Sequence, residues 1–245
     1  MPAPNGPSAD AAPVLARSAL FSGLCLLVPV PLVDEILAER ARRHMVASLL
    51  VLHGRAEDPA PLKPLWASPW PGCLLGFFHL LRKLFLWPIK KLLRTIFFFL
   101  AARDAALEIS RTYLLGRTLD RLLAAGRLTG SDTVEAQQAR DAFEIAFRNV
   151  DRRFISAAAG QLVSALKGVS FSTIRAVREL MKRAPSDRVQ PEVDALPASE
   201  RGAIWQLLEQ FQALLATPEL RAFVSDFDRR FDEAMAAGGQ AAPKR

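Results

Sequence analysis

Apolar residues recur at three- and four-residue steps along most of this 245-residue chain, and no stretch alternates convincingly with period two. A half-buried strand needs that alternation to keep one face inward, whereas a helix needs the longer step. The pattern therefore predicts an all-α fold, a multi-helix bundle punctuated by proline and glycine. Residues 16–28 read as an apolar helix ending before Pro29. Pro31 suits the first turn of a second helix over 34–52, which stops at Gly54. Its apolar face carries Val33, Ile36, Leu37, Met45, Leu49 and Leu52, and its polar face Glu35, Glu39, Arg42 and Arg43.

Residues 58–72 hold five prolines and read as a linker or a folded-over loop. From Cys73 the helical step resumes. Pro88 would kink that run or begin a new helix, because its ring clashes with the carbonyl of Leu84. A long helix from Pro88 to a C-cap at Gly126 follows. Ser131 or Asp132 can cap the next helix, whose stripe is Ala139, Phe143, Ala146, Phe147, Val150 and Phe154. A further helix covers 171–183. Near the C-terminus, Ser199 and then Thr217 with Pro218 can start two helices, striped by Ile204, Leu207, Leu208, Phe211 and Leu215 and by Leu220, Phe223, Val224, Phe227 and Phe231. Gly238 is expected to close the second. The chain thus divides into a disordered tail (1–15), an apolar helical hairpin (16–56), a Pro/Trp linker (57–72), a helical core (73–184), a second linker (185–198), a C-terminal helical hairpin (199–237) and a final tail (238–245).

Charge is distributed far less evenly than the helical pattern. Residues 59–103 contain Lys63, Arg82, Lys83, Lys90, Lys91, Arg94 and Arg103 and no Asp or Glu, while 25 basic residues face 25 acidic ones elsewhere. The formal +7 is therefore a property of one window. That window also holds Trp66, Trp70 and Trp87, three of the four tryptophans, and six of the fifteen phenylalanines. On a helical wheel Lys83, Trp87, Lys90, Lys91 and Arg94 share about one third of the circumference, opposite Leu84, Ile89, Leu92, Leu93, Ile96, Phe97 and Leu100. Phe97, Phe98 and Phe99 spread bulk around much of the rest. Apolar side chains entering an acyl boundary, Trp at headgroup level and Lys/Arg on anionic phosphates make up an interfacial helix. The residues expected at a membrane surface are Trp66, Trp70, Arg82, Lys83, Trp87, Lys90, Lys91, Arg94, Phe97, Phe98 and Phe99.

A simple span is not favoured. The charge-free stretches 18–33 and 64–81 have 16 and 18 residues and are broken by prolines, where a spanning helix needs about 20 apolar residues. A short inserted hairpin at 18–33 stays open. Nucleic acid is the other partner a basic patch fits, but Leu, Ile and Phe interleave these charges and no helix-turn-helix, zinc-finger or RNA-binding signature accompanies them. The 51% hydrophobic content and mean hydropathy of +0.14 exclude a chain disordered throughout. Cys25 and Cys73 read as two buried thiols of a reducing compartment, and no basic n-region or cleavage pattern supports secretion, so an intracellular chain is expected.

Pro29 and Pro31, then Asp34, then Met45 and Val46, then a closing Gly54 give residues 19–54 a recognisable shape. It resembles the helical segment of a bacterial domain of unknown function found in inner-membrane proteins and beside GTPase modules. That resemblance implies helices embedded in or apposed to a membrane. This chain carries no GxxxxGK[ST] phosphate loop of its own.

Catalytic chemistry finds little footing. His44 and His53 stand nine positions apart, on opposite sides of one helix, and a metal site with Asp34, Glu35 and Glu39 can be drawn but reads more simply as a polar helix face. His79 reads as an interfacial or packed ring. Ser110, Arg111, Thr112 and Tyr113 lie mid-helix without a general base, and the spacings Asp226/Arg230 and Asp228/Asp232 look like surface charge patterning. No nucleophile elbow or HExxH is present. The expectation is a non-enzymatic protein without cofactor or metal, docking on an anionic cytoplasmic leaflet through residues 73–103. Its C-terminal hairpin, net −3, is free for a protein partner. The alternative is a soluble all-α adaptor or oligomerisation module, homodimer included, that buries the same stripe; a pore-related protein built on two short hairpins is a third reading.

Overall fold

The computed structural model describes residues 8, 10–27, 33–55, 58–67, 94–128, 132–150, 164, 166, 169–183 and 193–241. Among them are eight α-helices and no strand, so the fold is all-α. The helices are α1 (Ala11–Leu26), α2 (Val33–Leu52), α3 (Lys63–Trp66), α4 (Arg94–Ala124), α5 (Thr133–Arg148), α6 (Phe171–Arg183), α7 (Ala198–Leu215) and α8 (Pro218–Ala241). Short 3₁₀ turns at Ala60–Leu62 and Val193–Ala195 precede α3 and α7.

α1 is the axis of the bundle. It is apolar all round, and such a helix belongs inside. Leu15, Ala19, Leu20, Phe21, Leu24 and Cys25 are buried, and α2, α4, α6 and α7 pack against it. It begins at Ala11, five residues ahead of the expected start, so the tail assigned to 1–15 is corrected for 11–15. Ala11 and Ala12 give little periodic signal, yet Ala11 is fully buried, and the Ser8 carbonyl accepts from both their amides at 3.0 and 3.1 Å. Pro13 fits because first-turn amides need no helical partner. Residues 18–26, open above to membrane insertion, lie at the centre of the protein.

α1 and α4 are antiparallel and unusually close. A Cβ at Gly23 would lie 2.8 Å from the Ala105 carbonyl oxygen, and one at Gly116 would lie 2.5 Å from Leu15 Cδ2 and Met45 Sδ. Leu15 therefore faces position 116 while position 23 faces 105 and 109. Continuing that register, the first two turns of α4 run on beyond Leu26, the last residue of α1.

Two of the three expected glycine stops hold. Gly54 and Gly126 adopt φ of +68° and +64°. Each closes a Schellman motif: Arg55 and Gly54 amides donate to Leu50 and Val51, and those of Arg127 and Gly126 to Leu122 and Leu123. Asp132 caps α5, accepting from the Val134 amide at 2.7 Å. α6 spans the residues the periodicity gave it. Two other boundaries are corrected. Pro197, not Ser199, holds the N-cap position of α7, and α8 continues through Gly238 to Ala241, because glycine inside a helix costs only about 1 kcal/mol. Thr217 does cap α8, its hydroxyl accepting from the Leu220 amide at 3.4 Å.

The Pro/Trp linker proves to be a folded-over segment within its described part. Leu62, Leu65 and Trp66 are buried, and α3 packs on α5 and α2. Val193 and Leu196 likewise tie the second linker to the core. The C-terminal helices do not fold back along one another as a hairpin does. α8 leaves the Thr217–Pro218 elbow and packs chiefly on α5, with Phe227 meeting Phe143 edge-on at 5.5 Å. Phe227 serves that neighbour, while Leu220, Phe223 and Val224 face α4 and α7.

Candidate functional site

The basic, aromatic window begins in α3 and ends in the first turns of α4, and the structure fixes both of these flanks. At α3, Trp66 is only 7% exposed; its indole N–H donates to the Pro59 carbonyl at 3.3 Å and the Arg43 guanidinium lies 5.4 Å above its ring. This corrects its assignment to a membrane surface: the ring is packed in protein, because the prolines of 59–64 fold the chain back over α2. A buried tryptophan keeps a partner for its N–H, and Trp66 has one within its own loop.

The C-terminal carbonyls of α3 sit on buried guanidiniums. Arg42 donates to the Trp66 carbonyl at 3.1 Å and pairs with Glu108, which also accepts from the Thr112 hydroxyl at 3.1 Å. The Ser22 hydroxyl donates in turn to Thr112 at 3.0 Å, linking α1. Arg140 donates to the Leu65 carbonyl at 3.1 Å and pairs at 2.8 Å with Glu144, which Arg111 also engages. Three guanidiniums thus meet two carboxylates, and the carbonyls of α3 face the surplus positive charge. Burial, reinforced by Arg111 and Arg42 and opposed by Glu144, lowers Arg140 to about 10, so it remains charged at neutral pH. Arg42, on the polar face of α2, lies inside because α3 covers that side of the helix.

At the other flank, the α4 backbone is helical from Arg94, so Phe97, Phe98 and Phe99 occupy its first two turns. Trp70, Arg82, Lys83, Trp87, Lys90 and Lys91 lie outside the described residues, as do Pro88, His79 and Cys73. Lys63 and Arg103, the outermost described charges of the window, are both exposed.

The candidate chemical groups resolve into structural contacts. Among the described residues no cluster of His, Cys, Asp and Glu could hold a metal ion. His44 is buried among core residues, and His53 Nε2 lies 2.8 Å from Asp120 Oδ1. Asp120 also accepts from the Ser8 amide at 3.0 Å and the Ser8 hydroxyl at 3.3 Å. Ser8 therefore donates to the acid rather than to the histidine, and the three do not form a nucleophile–base relay. No local pattern marks this joint, since 112 positions separate its ends. Asp228 and Asp232 are corrected from surface patterning to an interhelical latch. Arg117 donates to Asp228 at 2.7 Å, and Arg121 pairs with Asp228 and Asp232 at 2.9 and 2.7 Å. Asp226 and Arg230 do pair at 2.7 Å on one helix face.

Two further features lay beyond sequence reach. An apolar cleft opens where the α7–α8 elbow meets α4, walled by Tyr113, Phe211, Leu215 and Phe223 among others. Ile36 and Phe171 are 61% and 66% exposed. Among the described residues no helix is long and apolar enough to cross a membrane. Comparison with protein-family models, curated proteins and solved structures found no match to this chain.

Proposed function

We propose that this protein is a non-enzymatic helical module that docks on an anionic cytoplasmic leaflet through residues 73–103. The observation that supports this most is the division of charge. Outside 59–103 basic and acidic residues are equal in number, and the described bundle neutralises Arg42, Arg111, Arg117, Arg121, Arg140 and Arg178 against carboxylates. The net +7 therefore stays with a segment that has no acid of its own and is rich in Trp, Phe and Leu. Each basic residue near an anionic leaflet contributes about 1 kcal/mol before screening. Replacing Lys83, Lys90, Lys91 and Arg94 by Gln removes about 4 kcal/mol on that scale. Flotation of the full chain with phosphatidylglycerol-containing vesicles should fall at least tenfold in the variant and weaken with salt. A parent that stays with the soluble fraction at every lipid composition refutes the reading.

The second reading, a soluble adaptor that buries the same stripe against protein, draws support from Trp66, which lies in the same basic, aromatic window just ahead of that stripe and packs inside the bundle. Salt-independent self-association or partner capture without vesicle binding would favour it.

A further inference from the structure

α7 and α8 part at the Thr217–Pro218 elbow, and the wedge between them lies open over α4. Leu114 of α4, Phe211 of α7, and Phe223 and Val224 of α8 line it with carbon, and none of the lining residues is charged. Phe223 and Val224 are only half-buried, so apolar surface remains to be covered. The free space between these walls is about 30 Å³, room for two or three water-sized groups.

Two polar side chains share the α4 wall, and they differ in what they offer. Ser110 donates its hydroxyl proton to the Ala106 carbonyl at 2.9 Å, so its oxygen is left to accept. Tyr113 is 8% exposed, with its ring edge-on to Phe211 at 5.8 Å. No described residue hydrogen-bonds its hydroxyl. A buried tyrosine usually finds such a partner, so this donor is left for something that enters the cleft. Its ionic neighbours, Arg117 and Asp228, pair with each other at 2.7 Å. Arg121 and Asp232 complete that latch, so its cations and anions balance.

We propose that this cleft is a binding site for a slim, uncharged amphiphile, an unbranched aliphatic alcohol. Its alkyl chain lies between Phe211, Phe223 and Val224, where a methylene gives up no hydrogen bond and a water would leave some unmade. Its oxygen accepts from Tyr113. Its own hydroxyl proton goes to Ser110 Oγ, three residues back on the same face of α4. The head is uncharged because the latch beside Tyr113 is already balanced, and a carboxylate would meet Asp228 with no cation to itself. The chain is unbranched because the space is narrow. The site is independent of the membrane-docking segment, and either can fail without the other.

Tyr113 is the only tyrosine of the chain, so the full-length protein labelled with fluorotyrosine gives one fluorine resonance, at the site itself. Titration with n-pentanol should shift that resonance to saturation. Saturation-transfer NMR, read on the ligand, follows the unlabelled variants. Affinity should rise about fourfold per methylene from n-propanol to n-pentanol. The branched isomer tert-pentanol and the anion pentanoate should each bind about tenfold more weakly. Tyr113→Phe should weaken n-pentanol about fivefold, the value of one neutral hydrogen bond. Val224→Phe, which fills the wedge, should abolish the transfer signal. Tyr113→Phe keeps the ring and its contact with Phe211, so it decides the matter even if Val224→Phe does not fold. A fluorine resonance that does not move overturns the site. So does equal affinity for n-pentanol, tert-pentanol and pentanoate, or undiminished n-pentanol binding in Tyr113→Phe.

Discussion

Replacing Gly23 by alanine tests the close approach of α1 and α4. Alanine is the better helix former by about 1 kcal/mol, so on propensity alone the substitution should stabilise α1. Packing opposes that gain. The new methyl would stand 2.8 Å from the Ala105 carbonyl oxygen and against the Ile109 side chain. Ile109 can turn, but a backbone oxygen in the middle of α4 moves only with its helix. Forced overpacking costs about 1–3 kcal/mol, and a backbone neighbour places this site at the upper end. The net expectation is a loss of about 2 kcal/mol for Gly23→Ala. Gly202→Ala supplies the reference. Gly202 lies in α7 with nothing within 4 Å of an added Cβ, so it should gain about 1 kcal/mol from propensity. Urea unfolding followed by circular dichroism measures both, and the two variants should differ by about 3 kcal/mol. Equal stabilisation by the two substitutions would refute the separation assigned to α1 and α4.

Asp228→Asn removes the carboxylate shared by Arg117 and Arg121 and should cost about 3 kcal/mol in urea unfolding. The double variant Arg117→Met, Asp228→Leu should recover most of that loss, because the buried Arg117 guanidinium is then gone and Arg121 keeps its pair with Asp232. The Cys25 thiol is pushed up by burial from 9.0 to about 12, and burial also raises Tyr113. The folded state thus holds these protons more tightly than the unfolded chain. Stability should be level with respect to Cys25 below about pH 9 and fall between 9 and 12, by up to about 1.4 kcal/mol per pH unit, with Cys25→Ala flattening the slope. Asp120→Asn should speed hydrogen exchange in the first turn of α1 about tenfold, since it weakens the bonds from Ser8. Unchanged protection there would show that Asp120 does not hold the start of α1.

What the sequence could convey was local. The helical class, the 171–183 helix, the two glycine stops and the Asp132 cap each depend on residues within one or two turns of one another. The start of α1 escapes the pattern because alanine carries little hydrophobic signal, and the start of α7 differs because a serine two positions after a proline fits a cap as well as the proline does. Trp66 was misread for a different reason. Its neighbours Lys63, Trp70 and the prolines look the same whether the ring meets lipid or Arg43. Nor could spacing reveal that Asp228 serves Arg117 rather than solvent, since that pairing crosses 111 positions. For the candidate site, composition showed the window and its sign of charge, while the packing of Trp66 required knowing where α3 folds.

The arginines that close helix ends have a consequence for how the chain assembles. Arg178 of α6 finishes α1, Arg40 of α2 finishes α6, Arg42 of α2 and Arg140 of α5 finish α3, and Arg230 of α8 bonds the Asn149 carbonyl that ends α5. Each donor comes from an element distant in sequence, so no helix in this set completes its own terminus. An isolated fragment would leave last-turn carbonyls to water and fray. Folding is thereby made collective, with each helix acquiring its final length only when another arrives. Such a scheme draws on a planar, always-charged donor with several N–H groups, which fits a chain holding 25 arginines among its 32 basic residues.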